Sequence, residues 1–147
     1  MRKVGLLDVS WVLLIVVALG SMAFGVVFAV LGSPSFILEY IGMDWSAIVA
    51  FSPLLANAFV LAQRLLGFAH IAIAFAALLV LQRHYRGNQR WALLFLLIIM
   101  MPVWPPAWFL IPPAIPIAFW ATIALSVLWI LGLVIGAYVM LKKRQLD

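Results

Sequence analysis

Four long apolar runs constrain this chain more than any motif in it. They lie at about 9–31, 57–82, 91–111 and 117–141, each near the roughly 20 residues that cross ~30 Å of hydrocarbon at about 1.5 Å per residue. A backbone inside hydrocarbon must satisfy its own N–H and C=O groups, so runs of this kind become helices. The expected architecture is all-α: one integral membrane domain over residues 1–147, a four-transmembrane-helix bundle with a short amphipathic outer segment. Composition excludes a soluble fold, because 69% of the residues are hydrophobic and 9% charged, where soluble domains carry roughly 45–50% and about 25%. The net charge of +5 reflects few charges rather than a basic face, so nucleic acid is not an expected partner. There are no cysteines, which removes disulfides and thiolate ligands.

Eight of the nine basic residues fall in three groups: Arg2 and Lys3; Arg83, Arg86 and Arg90; Lys142, Lys143 and Arg144. The positive-inside rule then predicts a multi-pass protein of the cell membrane with both termini cytoplasmic and an even number of crossings. Arg2 and Lys3 before an apolar run also resemble a secretory signal. That run continues to Leu31, too long for a signal core, so an uncleaved helix is expected.

Gly87-Asn88 marks a turn between the second and third runs, which should form a hairpin. On the outer side, Phe36, Ile37, Tyr40 and Ile41 recur at helical spacing beside Glu39, predicting a short helix on the membrane surface, and Asp44 or Ser46 could cap another turn before Pro53. Six prolines between Pro102 and Pro116 argue against regular helix there. Trp45, Trp104, Trp108 and Trp120 suit an outer aromatic belt, and Trp11 with Trp91 an inner one.

Small residues mark helix contacts. Gly132 and Gly136 form a GxxxG, and Ser21, Gly25 and Ala29 repeat at four-residue spacing, serving the bundle itself or a homo-oligomer. Ionisable groups within the spans are costly and become candidate ligand-binding positions. Arg64 is expected just below the outer boundary, with Glu39 and Asp44 as its nearest counter-ions and a lid formed if they pair. His70 falls near the midplane, on one face with Gln63, Gly67 and Ala74. Ser126 or Thr122 are plausible partners for a neutral His70; a single-histidine tie to a pigment or haem is a further reading. No GxSxG, HExxH, P-loop or dinucleotide fingerprint is present, so no catalytic residue and no metal site is assigned.

Gly25, Pro34, Phe36-Ile37-Leu38, Gly42 and Arg64-Leu65-Leu66-Gly67 follow in an order that resembles small four-helix membrane proteins of the DoxX-like type, over residues 20–81. The resemblance implies a four-helix bundle with an outer pocket near Arg64, and an association with quinone-linked oxidoreductases as a membrane subunit. The expected role is a non-catalytic accessory or scaffolding subunit that packs against other membrane subunits and holds a lipid or quinone near the outer leaflet. Two alternatives stay open: a redox or small-molecule enzyme subunit using Arg64, His70 and Glu39, and a small carrier or channel.

Overall fold

The computed structural model describes residues 5–31, 44–85, 87, 89–101, 103 and 116–144. They form five α-helices: α1 (Leu6–Leu31), α2 (Trp45–Phe51), α3 (Pro53–Val80), α4 (Arg90–Met100) and α5 (Pro116–Arg144). A π-helical turn, Leu81–Tyr85, continues α3. Among the described residues there is no strand. Three helices, α1, α3 with its π turn, and α5, are long and apolar enough to cross a membrane. The run expected at 91–111 differs: its helix stops at Met100 after 11 residues; Trp104, Trp108 and the prolines from Pro102 to Pro113 lie outside the described residues, whereas Pro116 begins α5. The predicted surface helix near Phe36, with Glu39, lies outside them too.

Local chemistry sets the helix ends. Asp8 reaches back from the first turn of α1 to accept the Gly5 N–H at 3.1 Å, meeting one of the donors that a helix start leaves unpaired. Asp44 caps α2 through the Ser46 N–H at 3.0 Å and the Ser46 hydroxyl at 2.6 Å, as its position before Pro53 suggested. A single residue, Ser52, then serves two helices. Its N–H closes α2 on the Ile48 carbonyl, and its hydroxyl accepts the Leu55 N–H of α3. Pro53 follows at the first turn, where a missing N–H costs nothing.

α1 is the central helix and makes its most extensive contacts with α3 and α5. It runs antiparallel to both, since Ser10 meets Tyr85 and Gly132 at one end while Gly25 meets Gly67 towards the other. The start of α1, the π turn, the start of α4 and the end of α5 therefore share one end of the bundle. That end carries Arg83, Arg90 and Lys142, as the grouping of basic residues predicted. Asp44 and α2 sit at the opposite end.

The interior is built from small residues and a few large ones. Leu14, Val17, Ala18, Ala77, Leu81, Tyr85, Leu96, Met100, Trp129 and Met140 form one buried cluster. The outer surfaces are strongly apolar instead of polar: Leu54, Phe68, Phe75 and Val134 are all more than half exposed. Only 28 to 33% of each spanning window is buried within the protein. Such a surface is stable against acyl chains and not against water.

Candidate functional site

The face Gln63–Gly67–His70–Ala74 does form one stripe of α3, and it faces α1. Gln63, Gly67 and Ala74 are buried and His70 is half-buried. The small-residue notch beside His70 is filled by backbone. A Cβ on Gly67 would come within 2.6 Å of the Gly25 carbonyl oxygen and 2.9 Å of Ala29 Cα. Gly25, in turn, faces the Gly67 carbonyl and His70 Cβ. Gly25 and Ala29 of the predicted stripe thus belong to a backbone-to-backbone crossing, the kind of approach that small residues permit where no hydrophobic effect drives helices together.

His70 satisfies its ring within its own helix. Nδ1 donates to the Leu66 carbonyl at 2.9 Å, which leaves Nε2 as the accepting nitrogen. The ring stands edge-on to Phe28 of α1, with centroids 5.9 Å apart. The expected partners on α5 are not used: Ser126 donates to the Thr122 carbonyl at 2.8 Å. A hydroxyl one turn from a carbonyl finds it without ordering a second helix, so the local bond wins. Among the described residues no three His, Cys, Asp or Glu side chains come together as metal ligands.

Arg64 is exposed on α3, one position round from buried Gln63. Around it Leu61, Leu65 and Phe68 are also exposed. Arg64 is 21 residues before Tyr85, roughly 32 Å along the helix and so near the far boundary of a ~30 Å hydrocarbon layer. The expected ion pair with Asp44 does not form. The Asp44 carboxylate is spent on Ser46, whose hydroxyl and backbone N–H hold its pKa below the ordinary carboxylate value. Glu39, the other expected counter-ion, lies outside the described residues. Gln63 Oε1 is buried without a hydrogen-bond partner.

A second polar group sits at the basic end and was not singled out from the sequence. Ser10 donates to the Gly132 carbonyl, so the contact between its oxygen and Tyr85 must have the tyrosine as donor. Both side chains are fully buried. The GxxxG stripe makes this possible from within the chain: Gly132 exposes its carbonyl beside Leu14, and a Cβ at Gly136 would overlap the Tyr85 hydroxyl. The π turn brings Tyr85 inward, and Trp11 donates to the Leu81 carbonyl of the same turn at 2.9 Å. Nothing in a one-dimensional pattern marks a π turn. The hydroxyl of Ser10 inside an apolar span was the available signal.

Comparison of the chain with family models, curated proteins and solved structures returns no match.

Proposed function

We propose that this chain is a four-helix subunit of the cell membrane with both ends cytoplasmic, non-catalytic in itself, which packs against partner membrane subunits and holds an anionic lipid headgroup or a quinone at Arg64. The observation that carries the reading is Arg64 itself. It is the one charged side chain described between Pro53 and Gln82, and it stands among exposed apolar residues with no counter-ion among the described residues. A guanidinium at a bilayer boundary is stabilised by a phosphate or carbonyl oxygen that it can bind through paired N–H groups. The DoxX-like resemblance implies a pocket at the same residue.

Supporting a fourth crossing, α3 ends at the basic end whereas α5 begins at the opposite one. The intervening chain must climb the height of the bundle, and α4 covers about 16 Å of it. Supporting partners outside the chain, the GxxxG face is consumed internally by Ser10, Leu14 and Tyr85, so other subunits would meet the exposed apolar flanks of α3 and α5. The His70 arrangement lends less to catalysis, because its Nδ1 is already committed to Leu66.

The test is retention of ligand by purified protein in nanodiscs, using phosphatidylglycerol, phosphatidylcholine and decylubiquinone as probes. Wild-type protein should retain phosphatidylglycerol or the quinone over phosphatidylcholine, and Arg64→Gln should lose about tenfold in affinity, about 1.4 kcal/mol. Equal retention by the two proteins refutes the Arg64 site. Isolation of the chain from native membranes without any larger complex refutes the accessory role.

A further inference from the structure

One side of α3 is polar near its start and apolar further along. Asn57, Leu61, Arg64, Phe68 and Phe75 fall within an arc of about 60° at roughly 100° per residue, and all five are exposed. The buried stripe of Gln63, Gly67 and Ala74 lies round the helix from them, with Gly67 against α1. Among the described residues neither Asn57 nor Arg64 has a hydrogen-bond partner or a counter-ion.

The order of these residues follows depth. α3 starts at the end of the bundle away from Arg83, Arg90 and Lys142, so Asn57 is the outermost of the five. Arg64 sits seven residues further in, or roughly 10 Å, and Phe75 another ~16 Å, near the middle of a ~30 Å hydrocarbon layer. A helical side chain covers the turn on the N-terminal side of its own Cα. The Arg64 guanidinium therefore reaches towards Asn57, which leaves the two polar groups about one turn apart. A phospholipid of one leaflet has the same order from headgroup to tail. Its phosphate meets the guanidinium through paired N–H groups, and an acyl chain runs inward over Phe68 and Phe75. A quinone offers only uncharged carbonyl groups and leaves the charge of Arg64 unbalanced.

We infer, resting on the reading of Arg64 above, that the exposed side of α3 from Asn57 to Phe75 seats one anionic phospholipid and that Asn57 selects its headgroup. The occupant is thereby narrowed from lipid or quinone to lipid. A carboxamide both donates and accepts, so Asn57 pairs with hydroxyl groups carried just beyond the phosphate, as in phosphatidylglycerol. The trimethylammonium of phosphatidylcholine has no N–H or O–H and gains nothing from Asn57.

The test compares retention by the full chain and its variants in nanodiscs, with phosphatidylglycerol, phosphatidylcholine and decylubiquinone as probes. Wild-type protein should prefer phosphatidylglycerol to phosphatidylcholine, and Asn57→Leu should reduce that preference about fivefold, the worth of one hydrogen bond. Phe68→Ala combined with Phe75→Ala should weaken both lipids alike and keep their order; unchanged retention overturns the acyl seat. An unchanged preference in Asn57→Leu overturns the headgroup role even where Arg64→Gln abolishes retention. Loss in neither Asn57→Leu nor Arg64→Gln removes the Arg64 site as well. Wild-type protein that retains decylubiquinone over phosphatidylglycerol overturns the choice of lipid and leaves Arg64 as a quinone site. A photoreactive amino acid in place of Leu61 identifies the occupant in native membranes: a phospholipid adduct is expected, and a cross-link to a polypeptide instead overturns the assignment.

Discussion

At the basic end of the bundle the buried hydroxyls of Ser10 and Tyr85 tie separate helices together; towards the opposite end side-chain hydrogen bonds such as those of His70 and Ser126 stay within one helix, and α1 meets α3 through glycine. Tyr85, Ser10 and the Gly132 carbonyl form one relay, and Trp11 seals the π turn beside it. In the other half Gly25 and Gly67 bring α1 and α3 into backbone contact, Ser21 and Gln63 each keep an unpaired atom, and Arg64 is exposed. Large side chains with hydrogen bonds hold one end together; glycines hold the other. A region locked by side-chain bonds has its polar capacity spent, whereas contact through bare backbone satisfies no side chain.

The sharpest way to break this comparison is at the glycine crossing. Gly67→Ala places a methyl against the Gly25 carbonyl and the Ala29 backbone, neither of which can rotate away. The alanine gains about 1 kcal/mol of helix propensity, but overpacking against backbone should cost about 3 kcal/mol or more. A net loss of stability in thermal unfolding is expected, together with separation of α1 from α3 by distance measurements between spin labels. An increase in midpoint would show that the crossing is looser than described.

At the basic end the expected effect is smaller. Ser10→Ala leaves the Tyr85 hydroxyl buried and unpaired, at about 1–3 kcal/mol, whereas Tyr85→Phe leaves Ser10 its bond to Gly132 and should cost about 1 kcal/mol. A double-mutant cycle measured by denaturation in a fixed detergent should give coupling of at least about 0.5 kcal/mol. Additive effects would dissolve the relay.

Arg64→Gln should change stability by no more than about 0.5 kcal/mol, as for other exposed positions, while ligand retention falls. A large loss of stability would make Arg64 a structural residue and erase the contrast between the two ends.

The smallest effect is a dependence on pH at α2. The Ser46 hydroxyl, and then the Ser46 N–H, favour ionised Asp44 and lower its pKa. Its contribution to the cap is thus complete above the ordinary carboxylate pKa and is lost as pH falls through the lowered value. Amide exchange at Ile48 should quicken over that acidic window and at no higher pH; Asp44→Asn should flatten the dependence.

Much of the fold could be read directly because a bilayer imposes length and hydropathy together. The spans near 9–31, 57–82 and 117–141 correspond to α1, α3 with its π turn, and α5, each extended at one or both ends by caps such as Asp8 and Ser52. The shared end of Arg83, Arg90 and Lys142 was legible from charge spacing. The stripe through Gln63, Gly67 and His70 was legible as a face, but its use was not. Periodicity says which residues lie together on a helix and not what lies against them, so only the structure put Gly25 and Ala29 of α1 against Gly67. Of the two expected Arg64 counter-ions, Asp44 has a nearer partner in Ser46, two residues along the chain, and Glu39 lies outside the described residues.

What the sequence determined by itself is which segments are long and apolar enough to cross a membrane and which described basic residues share one end. Apolar length and the placement of basic residues are properties of single segments, and the bilayer reads each segment separately. Only the tertiary structure decided how polar groups are shared: that Tyr85 turns inward to Ser10, that Gly136 makes room for it, and that Ser126 bonds within its own helix. Hydrogen bonds between distant residues depend on helix register and on local changes of helical pitch at the level of an ångström, and no pattern of residue types along one chain encodes distances that fine.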